Sequence, residues 1–437
     1  MKCSGLLIFF MGFLLWQGCA TVKYQEKVSD YQEQIRILQK KLHKNPDNMD
    51  AIRDLGVIYF QTRQYAKAKD YLNRAYKASP KDAKTLLYLG LCLEFENNNE
   101  AALKFYEKYS EIPRYSPWRE KLEGRYRWLT RQQIRQEMRK LLEQEAQLAA
   151  KRLSPKRIAV FPFTFSDGNK RLAPLGKGLA EMIITDLTQV KSLQVVERVR
   201  VQALLEEIAL GQTGLVEESS APRYGKLLAA GKIIHGKFAG LSRNRIRLDA
   251  AYWDIINQQF PQPTEMTDAL NNLFLLEKDI VFEIIERMGI TLTPRERQRI
   301  LHIPTKNLQA FLAYCMGLEQ EDAGNFEAAL QSYKTSTQLD PDFNLARKKM
   351  EETETLTKAG QDKESFLSSL SEMERWTKGT TVGGNLVNRR LQNLSSSLGS
   401  NFIPGPDSRE SVEEVTTAGI SVVSGELPEP PLPPPGK

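Results

Sequence analysis

A 34-residue period in the first third of the chain limits its fold more than any other feature. Pro46 and Pro80 lie 34 residues apart, and so do Gly56 and Gly90. A fixed period of this length is typical of repeat proteins in which each repeat is a pair of antiparallel helices that buries its apolar face against the next pair. The sequence therefore predicts a stack of helix pairs near the start of the protein.

The positions within one period indicate how the two helices of a pair meet. Gly56 and Ala68 would let the helices approach closely, Tyr59 and Leu72 would fill the space between them, and Pro80 would end the second helix. The pattern resembles the tetratricopeptide repeat, and its positions, counted from Met49, are Ile52, Leu55, Gly56, Tyr59, Ala68, Leu72, Ala75 and Pro80.

Further copies of this pattern are weaker. A second copy that starts at Ala83 keeps Gly90 and Tyr106, and a later one counted from Ala310 keeps Gly317 and Tyr333. An apolar stripe with alternating spacings of four and three residues, from Tyr24 to Leu42, predicts a helix that caps the array.

Four residues of the first two repeats are candidates for contact with a partner. Arrays of this kind usually present a concave surface to peptides or other proteins. We therefore predict that Tyr59, Arg63, Asn97 and Asn98 lie on the repeat surface and bind protein.

The positive charge of the chain is concentrated in one segment. Residues 119–157 contain 12 Lys and Arg but five Asp and Glu, which accounts for the whole net charge of +7. The segment predicts a long basic helix that ends at Ser154-Pro155, because a residue before proline is disfavoured in the helical region. We interpret it as a solvated connector; an anionic lipid, an acidic partner or a cell-wall polymer is the alternative.

The following part of the chain alternates strands with helices. This order, followed by a hairpin, predicts an α/β domain with a mixed sheet. The predicted strands are 157–163, 193–197, 232–241 and 245–256, and the predicted helices are 173–190, 199–210, 221–230 and 267–288.

Several stretches of this domain together resemble a known family. They are Ile158–Phe163, Leu175–Ala180, Val195–Arg198, Leu204–Ile208, Gly211–Gly214, Gly225–Gly231 and Ile234–Gly236. The set is similar to the periplasmic domain of the curli secretion channel (CsgG) family, related in fold to TolB amino-terminal domains and to lipoprotein activators of cell-wall synthases. The resemblance implies a scaffold rather than an active site, in which Glu197 and Arg198 pair where a strand ends.

The channel proteins of that family insert two membrane hairpins, and each hairpin needs two strands of about 9 to 11 residues. Here the two corresponding junctions are Ser242 to Asn244 and Asn257 to Thr267, which are too short, and the second also contains prolines. The sequence therefore favours a soluble scaffold over a channel subunit.

The first residues read as an export signal. An apolar run of 11 residues, Leu6 to Trp16, is too short to span a membrane and precedes Gly18-Cys19-Ala20. The tract resembles a bacterial lipobox, which implies cleavage before Cys19 and lipid on its thiol. We expect a protein anchored by lipid to the outer membrane and facing the periplasm.

Little in the chain indicates catalysis. His43, His235 and His302 lie in different segments, so no metal site, cofactor or catalytic group is predicted. Gly231 to Lys237 has the glycine and lysine spacing of a phosphate-binding loop but reads as a strand. We expect no nucleic-acid partner, and we expect Cys92 and Cys315 to be buried free thiols.

The sequence as a whole predicts an α+β multidomain protein. Its parts are a signal peptide (1–18), a tetratricopeptide α-solenoid (19–115), a basic helical connector (116–155), a CsgG/TolB-N-like α/β domain with a mixed sheet (156–290), a further tetratricopeptide unit (291–357) and a largely disordered, finally Pro-rich tail (358–437).

The predicted function is a non-enzymatic scaffold in envelope assembly or secretion of the curli type. Its expected partners are other envelope or secretion proteins, the membrane through the lipid on Cys19, and further copies of the chain. The alternatives are an oligomeric channel subunit of the CsgG type and an accessory activator of cell-wall synthesis.

Overall fold

The computed structural model describes residues 31–145, 153–167, 170–209, 220–242, 244–359 and 363–379. The chain divides into two compact units, Met1–Gln361 and Asp362–Lys437. The signal peptide with Cys19, the stripe residues Tyr24 and Val28, the Gly211–Gly214 motif and the Pro-rich tail lie outside the described residues. No described helix combines the length and apolar character needed to cross a membrane.

The first unit begins with the predicted helix pairs. Asn48 and Asp82 cap two of the helices, because their side chains accept hydrogen bonds from the backbone N–H groups of Ala51 and Thr85. A Cβ on Gly56 would lie 2.6 Å from Leu72 Cγ, so glycine is needed where the helices cross. The helices are α1 (31–44), α2 (Met49–Gln61), α3 (Tyr65–Ala78), α4 (Ala83–Phe95) and α5 (Asn99–Tyr106).

The basic segment forms one helix, α6 (Pro117–Glu143), and its interpretation as a solvated connector was wrong. One side of α6 is buried, including Leu122, Leu129 and Ile134. The described helix ends at Glu143, and Ser154-Pro155, where the helix was predicted to end, starts the first strand of the sheet. The helix is therefore part of the core of the protein.

The α/β domain contains the predicted mixed sheet, in the strand order β3-β1-β4-β5-β6 with β2 also paired to β4. β1 is parallel to β3 and β4, and β2 is parallel to β4, whereas β5 is antiparallel to both β4 and β6. The strands are β1 (Ser154–Val160), β2 (Thr164–Asp167), β3 (Gln194–Val195), β4 (Ala230–Leu241), β5 (Arg245–Asp254) and β6 (Thr264–Ala269).

Two details of the predicted sheet needed correction. Residues 267–269, predicted to start a helix, belong to β6, which pairs with β5 along Arg245 to Ala250. The long β5 leaves a free edge, and pairing with it outweighs the weak helical pattern of this segment. The junction after β5 thus ends in a strand and is not simply a proline-broken loop.

Helices cover both faces of the sheet. Alternate residues of β4 point to opposite sides, with Ile234 and Phe238 in one apolar core and Ile233 in the other. The first core contains α7 (Leu175–Leu187) and α10 (Leu273–Arg287), and the second contains α8 (Arg198–Ala209), α9 (Ala221–Leu228) and the end of α6. The domain is therefore a three-layer α/β sandwich.

The helical array resumes after the α/β domain. α12, α13 and α14 follow a short helix, α11, and α14 packs along α6. A Cβ on Gly124 of α6 would lie 2.5 Å from the Cβ of Ala359 in α14, so these helices meet at a glycine. The helices are α11 (Pro294–Ile300), α12 (Leu308–Asp322), α13 (Phe326–Leu339) and α14 (Asn344–Ala359).

Two segments of repeats that are far apart in sequence thus form one array, with α6 between them and the α/β domain inserted between α6 and α12. The second unit contains α15 (Lys363–Gly379), so the segment predicted to be disordered from residue 358 includes the end of α14 and a further helix.

Candidate protein-binding site

The second repeat buries a Glu–Tyr pair that contacts α6. The Tyr106 hydroxyl donates a hydrogen bond to Glu94 Oε2 over 3.0 Å, and Arg125 of α6 forms an ion pair with Glu94 Oε1. Burial and the neighbouring Glu94 carboxylate raise the pKa of Tyr106, which keeps the hydroxyl protonated as a donor. An arginine of the connector therefore compensates a charge inside the repeat.

The third repeat contains the same pair at the same positions. Glu94 and Glu321 each follow the repeat glycine by four residues, and Tyr106 and Tyr333 follow it by sixteen. The Tyr333 hydroxyl donates to Glu321 Oε2 over 2.6 Å, and Arg131 of α6 pairs with Glu321 Oε1. α6 thus contacts one repeat through Arg125 and the other through Arg131, two residues about 9 Å apart along the helix.

Residues of the α/β domain join the charges of the third repeat. Arg198, at the start of α8, lies 2.6 Å from Asp322 Oδ1 and 3.2 Å from Glu181 Oε2 of α7. Lys177, also on α7, lies 2.9 Å from Asp322 Oδ2. The expected pairing of Arg198 with Glu197 was wrong, because Arg198 turns instead toward the third repeat. The resemblance motifs that contain Lys177 and Arg198 therefore contact the repeat array.

We call Arg131, Arg198, Glu321, Asp322 and Lys349 the junction cluster. Lys349 of α14 lies 3.2 Å from Glu321 Oε1, and Arg198 lies 3.7 Å from the same atom. Burial alone would raise the pKa of Glu321, but the cationic groups of Lys349, Arg131 and Arg198 hold it well below its usual range. Glu321 is therefore ionised, and it links α6, α8, α13 and α14 in one network.

A surface cleft of about 550 Å³ opens beside this cluster, between α6 and the turn that joins α12 to α13. Trp128, which is half-buried, forms its aromatic wall, and Phe326, only 3% exposed, packs against it with ring centres 6.2 Å apart and planes at 81°. The Arg131 guanidinium lies over the Phe326 ring at 5.4 Å. The lining residues are Trp128, Arg135, Ala323, Gly324, Asn325, Phe326, Glu327 and Ala328.

This composition suits a protein or peptide ligand. Aromatic rings and arginine are the side chains that contribute most to protein interfaces. The cation over Phe326 and the network behind it fix the aromatic wall in place. The cleft is therefore the candidate site.

The four residues predicted from the sequence to bind a partner lie elsewhere. Tyr59 is only 8% exposed and stacks on Tyr71 with ring centres 5.4 Å apart. Tyr59 therefore belongs to the core, and its predicted position on the binding surface was wrong. Arg63 and Asn97 are exposed in the turns between paired helices, each with φ of 61°. Asn98 caps α5 by accepting a hydrogen bond from Ala101 N.

A structural role accounts for the positions of these residues. Arg63 and Asn97 occupy the place that Gly324 takes in the third repeat, where φ is 78°, in the left-handed region. None of the four lines the cleft. Contact of Arg63, Asn97 or Asn98 with a partner stays a prediction.

Sequence reasoning missed Trp128, Phe326 and the junction cluster. The repeated signal that could have revealed them is the acidic residue four positions after the repeat glycine, present as Glu94 and Glu321 but replaced by Phe60 in the first repeat. A carboxylate at a core position of two repeats needs a cation, and α6 is the richest source of cations in the chain.

Other predicted features have simple outcomes. Gly231 to Lys237 lies in β4, as expected of a strand. Cys92 and Cys315 are buried and free, and burial raises the pKa of Cys92 to about 12. Within the described ranges, no group of three or more His, Cys, Asp and Glu side chains could hold a metal ion.

Comparisons with known families agree with this architecture. Residues 136–247 match the family of the curli production assembly/transport component CsgG, and residues 27–84 match the tetratricopeptide repeat. These matches confirm both predicted resemblances and the predicted fold class.

Individual relatives are distant. A stretch of 95 residues is 34% identical to a BBSome complex member BBS4 homolog from Drosophila melanogaster and covers 21% of this chain and 18% of that protein. The chain thus spans less than a fifth of the curated relative.

Two solved structures are also similar. The LpoB C-terminal domain from Salmonella enterica is 12% identical with a TM-score of 0.23, covering 31% of this chain and 95% of that domain. A tetratricopeptide repeat protein from Parabacteroides merdae is 14% identical with a TM-score of 0.22, covering 78% and 98% of the two chains.

Proposed function

We propose that this protein is a non-enzymatic scaffold of the bacterial envelope, anchored by lipid on Cys19 to the periplasmic face of the outer membrane. It recruits other proteins for envelope assembly or secretion. The CsgG-type domain and the tetratricopeptide repeats support a role in protein interaction. The observation that carries the proposal is the cleft with Trp128 and Phe326, which the junction cluster supports from behind.

The architecture gives this scaffold a specific form. Arg131 and Arg198 connect the third repeat to α6 and α8 through Glu321 and Asp322. A partner bound in the cleft would therefore contact both α6 and the third repeat, and its position would be fixed relative to the α/β domain.

Site-specific photo-crosslinking in cells tests the cleft. A photoreactive residue at Glu327, which lines the cleft, is expected to form a defined adduct with a partner protein. The same residue at Lys334, exposed on the next turns of α13, is the matched control and is expected to form none. Trp128→Ala should remove the adduct at Glu327. Equal adducts at both positions, or none at Glu327, would count against the proposal.

The identity of the captured protein separates the alternative functions. A secretion component supports export, a cell-wall synthase supports the activator role, and adducts between copies of the chain in detergent-extracted rings support the channel subunit. Labelling with a palmitate analogue tests the anchor, because Cys19→Ala should abolish the label and release the protein from the membrane fraction.

A further inference from the structure

Helix α11 carries a second concentration of arginine whose surroundings differ from those of α6. Arg295, Arg297 and Arg299 are all exposed in a helix of seven residues. Within the part of the chain that the structure describes, their guanidinium groups form no ion pair. In α6, by contrast, Arg125, Arg127, Arg131, Arg135 and Arg139 each pair with a carboxylate.

Two acidic groups of this region, Glu296 of α11 and Glu283 of α10, are engaged elsewhere. Glu296 accepts hydrogen bonds from the N–H groups of Lys191 and Thr293 and from the Thr293 hydroxyl, which lower its pKa to about 2. Glu283 of α10 pairs with Arg287 at 2.7 Å. Neither carboxylate pairs with an arginine of α11.

Helix stability accounts for only part of this arrangement, because Arg297 and Arg299 lie in the last turn, where the helix dipole favours a cation, but Arg295 does not. Arg295 and Arg299 are four residues apart on one side of the helix, where like charges repel. Arg295 also lies in the first turn, where the helix dipole disfavours a cation. Arg297 lies over the Phe282 ring at 4.6 Å, which orients its guanidinium.

An apolar side chain lies at the end of this basic helix. Leu301 is 52% exposed, and His302, also exposed, follows it. Basic side chains beside an exposed apolar one are typical of segments that lie in the headgroup region of an anionic bilayer. We call Arg295, Arg297, Arg299, Leu301 and His302 the α11 patch.

We propose that the α11 patch binds the surface of an anionic phospholipid bilayer. The guanidinium groups contact the phosphates, and Leu301 enters the headgroup boundary. The inference rests on the proposed envelope location, which brings the chain close to such a surface. A lipid on Cys19 would hold the chain at the membrane, and the α11 patch would add an electrostatic contact with the bilayer surface.

The test uses the mature chain with Cys19→Ser, which cannot be acylated, so that vesicle binding reports on the patch and not on the anchor. Binding to vesicles of phosphatidylcholine with and without phosphatidylglycerol is measured by co-sedimentation. The unacylated chain should bind the phosphatidylglycerol vesicles and not the neutral ones. The triple variant Arg295→Gln, Arg297→Gln, Arg299→Gln should bind at least about tenfold more weakly.

The matched control removes the same charge elsewhere. Lys104, Lys334 and Lys348 are exposed, and the variant Lys104→Gln, Lys334→Gln, Lys348→Gln should bind nearly as well as the parent chain. At high salt, where the contribution of the arginines is screened, Leu301→Asn in the otherwise unchanged chain should weaken vesicle binding more than high salt alone does. Thermal unfolding verifies that each variant is folded.

Equal binding by the two triple variants would overturn the proposal. Equal binding of the parent chain to neutral vesicles and to phosphatidylglycerol vesicles would overturn it as well. The proposal would also be overturned if the parent chain did not bind vesicles but self-associated, and if the arginine variant lost that self-association. The α11 patch would then be an interface between copies of the chain. Absence of the palmitate label from the wild-type chain, or of any Glu327 adduct, would contradict the proposed function and would leave the vesicle result unchanged.

Discussion

The second and third repeats use the same buried Glu–Tyr pair in different surroundings. Glu94 meets Arg125 of α6 inside one helical array, whereas Glu321 meets Arg131 of α6, Lys349 of α14 and, at 3.7 Å, Arg198 of the α/β domain. The ion pair of Glu94 connects neighbouring helices, and the ion pairs of Glu321 connect the third repeat to α6 and to the α/β domain. The comparison teaches that one repeat position can stabilise either packing or domain arrangement, depending on which cations surround it.

The largest difference should follow removal of the third-repeat carboxylate. Glu321→Ala leaves several cations buried without their partner, and we expect the free energy of unfolding to fall by about 3–5 kcal/mol. Urea denaturation measures it. Glu319→Ala, two positions away and exposed, is the control and should change the free energy by less than about 0.5 kcal/mol. Similar losses in both variants would contradict a central role for Glu321.

A somewhat smaller effect is expected on the other side of α6. Arg125→Met leaves Glu94 buried beside Tyr106 and should cost about 3 kcal/mol. The triple variant Arg125→Met, Glu94→Leu, Tyr106→Phe should recover most of this loss, because it replaces the ion pair by apolar side chains and also removes the hydroxyl that donates to Glu94. The matching variant Arg131→Met, Glu321→Leu, Tyr333→Phe should not recover stability, because Lys349 and Arg198 then lack the Glu321 carboxylate. Equal rescue on both sides would remove the difference between the repeats.

The tyrosine hydroxyls give a finer comparison. Tyr333→Phe and Tyr106→Phe each remove one hydrogen bond to a carboxylate and should cost about 1.5–2 kcal/mol in unfolding free energy. Tyr333→Phe should in addition weaken the Glu327 adduct, because Glu321 also binds Arg131 beside the cleft. An adduct weakened by Tyr106→Phe instead would contradict the assignment.

The smallest expected effect is on the pH dependence of the free energy of unfolding in acid. Because neighbouring cations lower the pKa of Glu321, the folded protein binds fewer protons than the unfolded chain as the pH falls below about 4.3, and stability is lost on acidification. Glu321→Gln should reduce this slope, by at most about 1.4 kcal/mol per pH unit. Denaturation at pH 5 and at lower pH gives the slope. An unchanged slope would mean that Glu321 is not held ionised.

The local geometry of the repeats could be predicted from the sequence because it depends on nearby residues. Gly56 and Leu72 lie in one helix pair, and a Cβ at Gly56 would collide with Leu72. The hairpin of β4 and β5 was equally predictable from two apolar strands and a short turn. These features follow from sterics and periodicity over a few tens of residues.

The candidate site could not be predicted in this way. A count of charges does not distinguish a solvated arginine from one paired in the core, and Glu321 lies 190 residues after Arg131. The repeat pattern placed Tyr59 between the helices, where Tyr71 stacks on it, and the additional surface role predicted for Tyr59 was wrong because that packing buries the ring. Residues 267–269 were assigned to a helix because only the paired edge of β5 makes them a strand.

The insertion of the α/β domain has a consequence for the order of folding during synthesis. Lys121 donates a hydrogen bond to the backbone carbonyl of Lys358, 237 residues later in the chain. Contacts of such long separation form late, since the chain must first close a large loop. Arg125 can meet Glu94 as soon as α6 has emerged, whereas Arg131 must wait for the last third of the chain. The contacts of Arg125 thus close a loop of about 30 residues, whereas those of Arg131 close a loop of 190 residues.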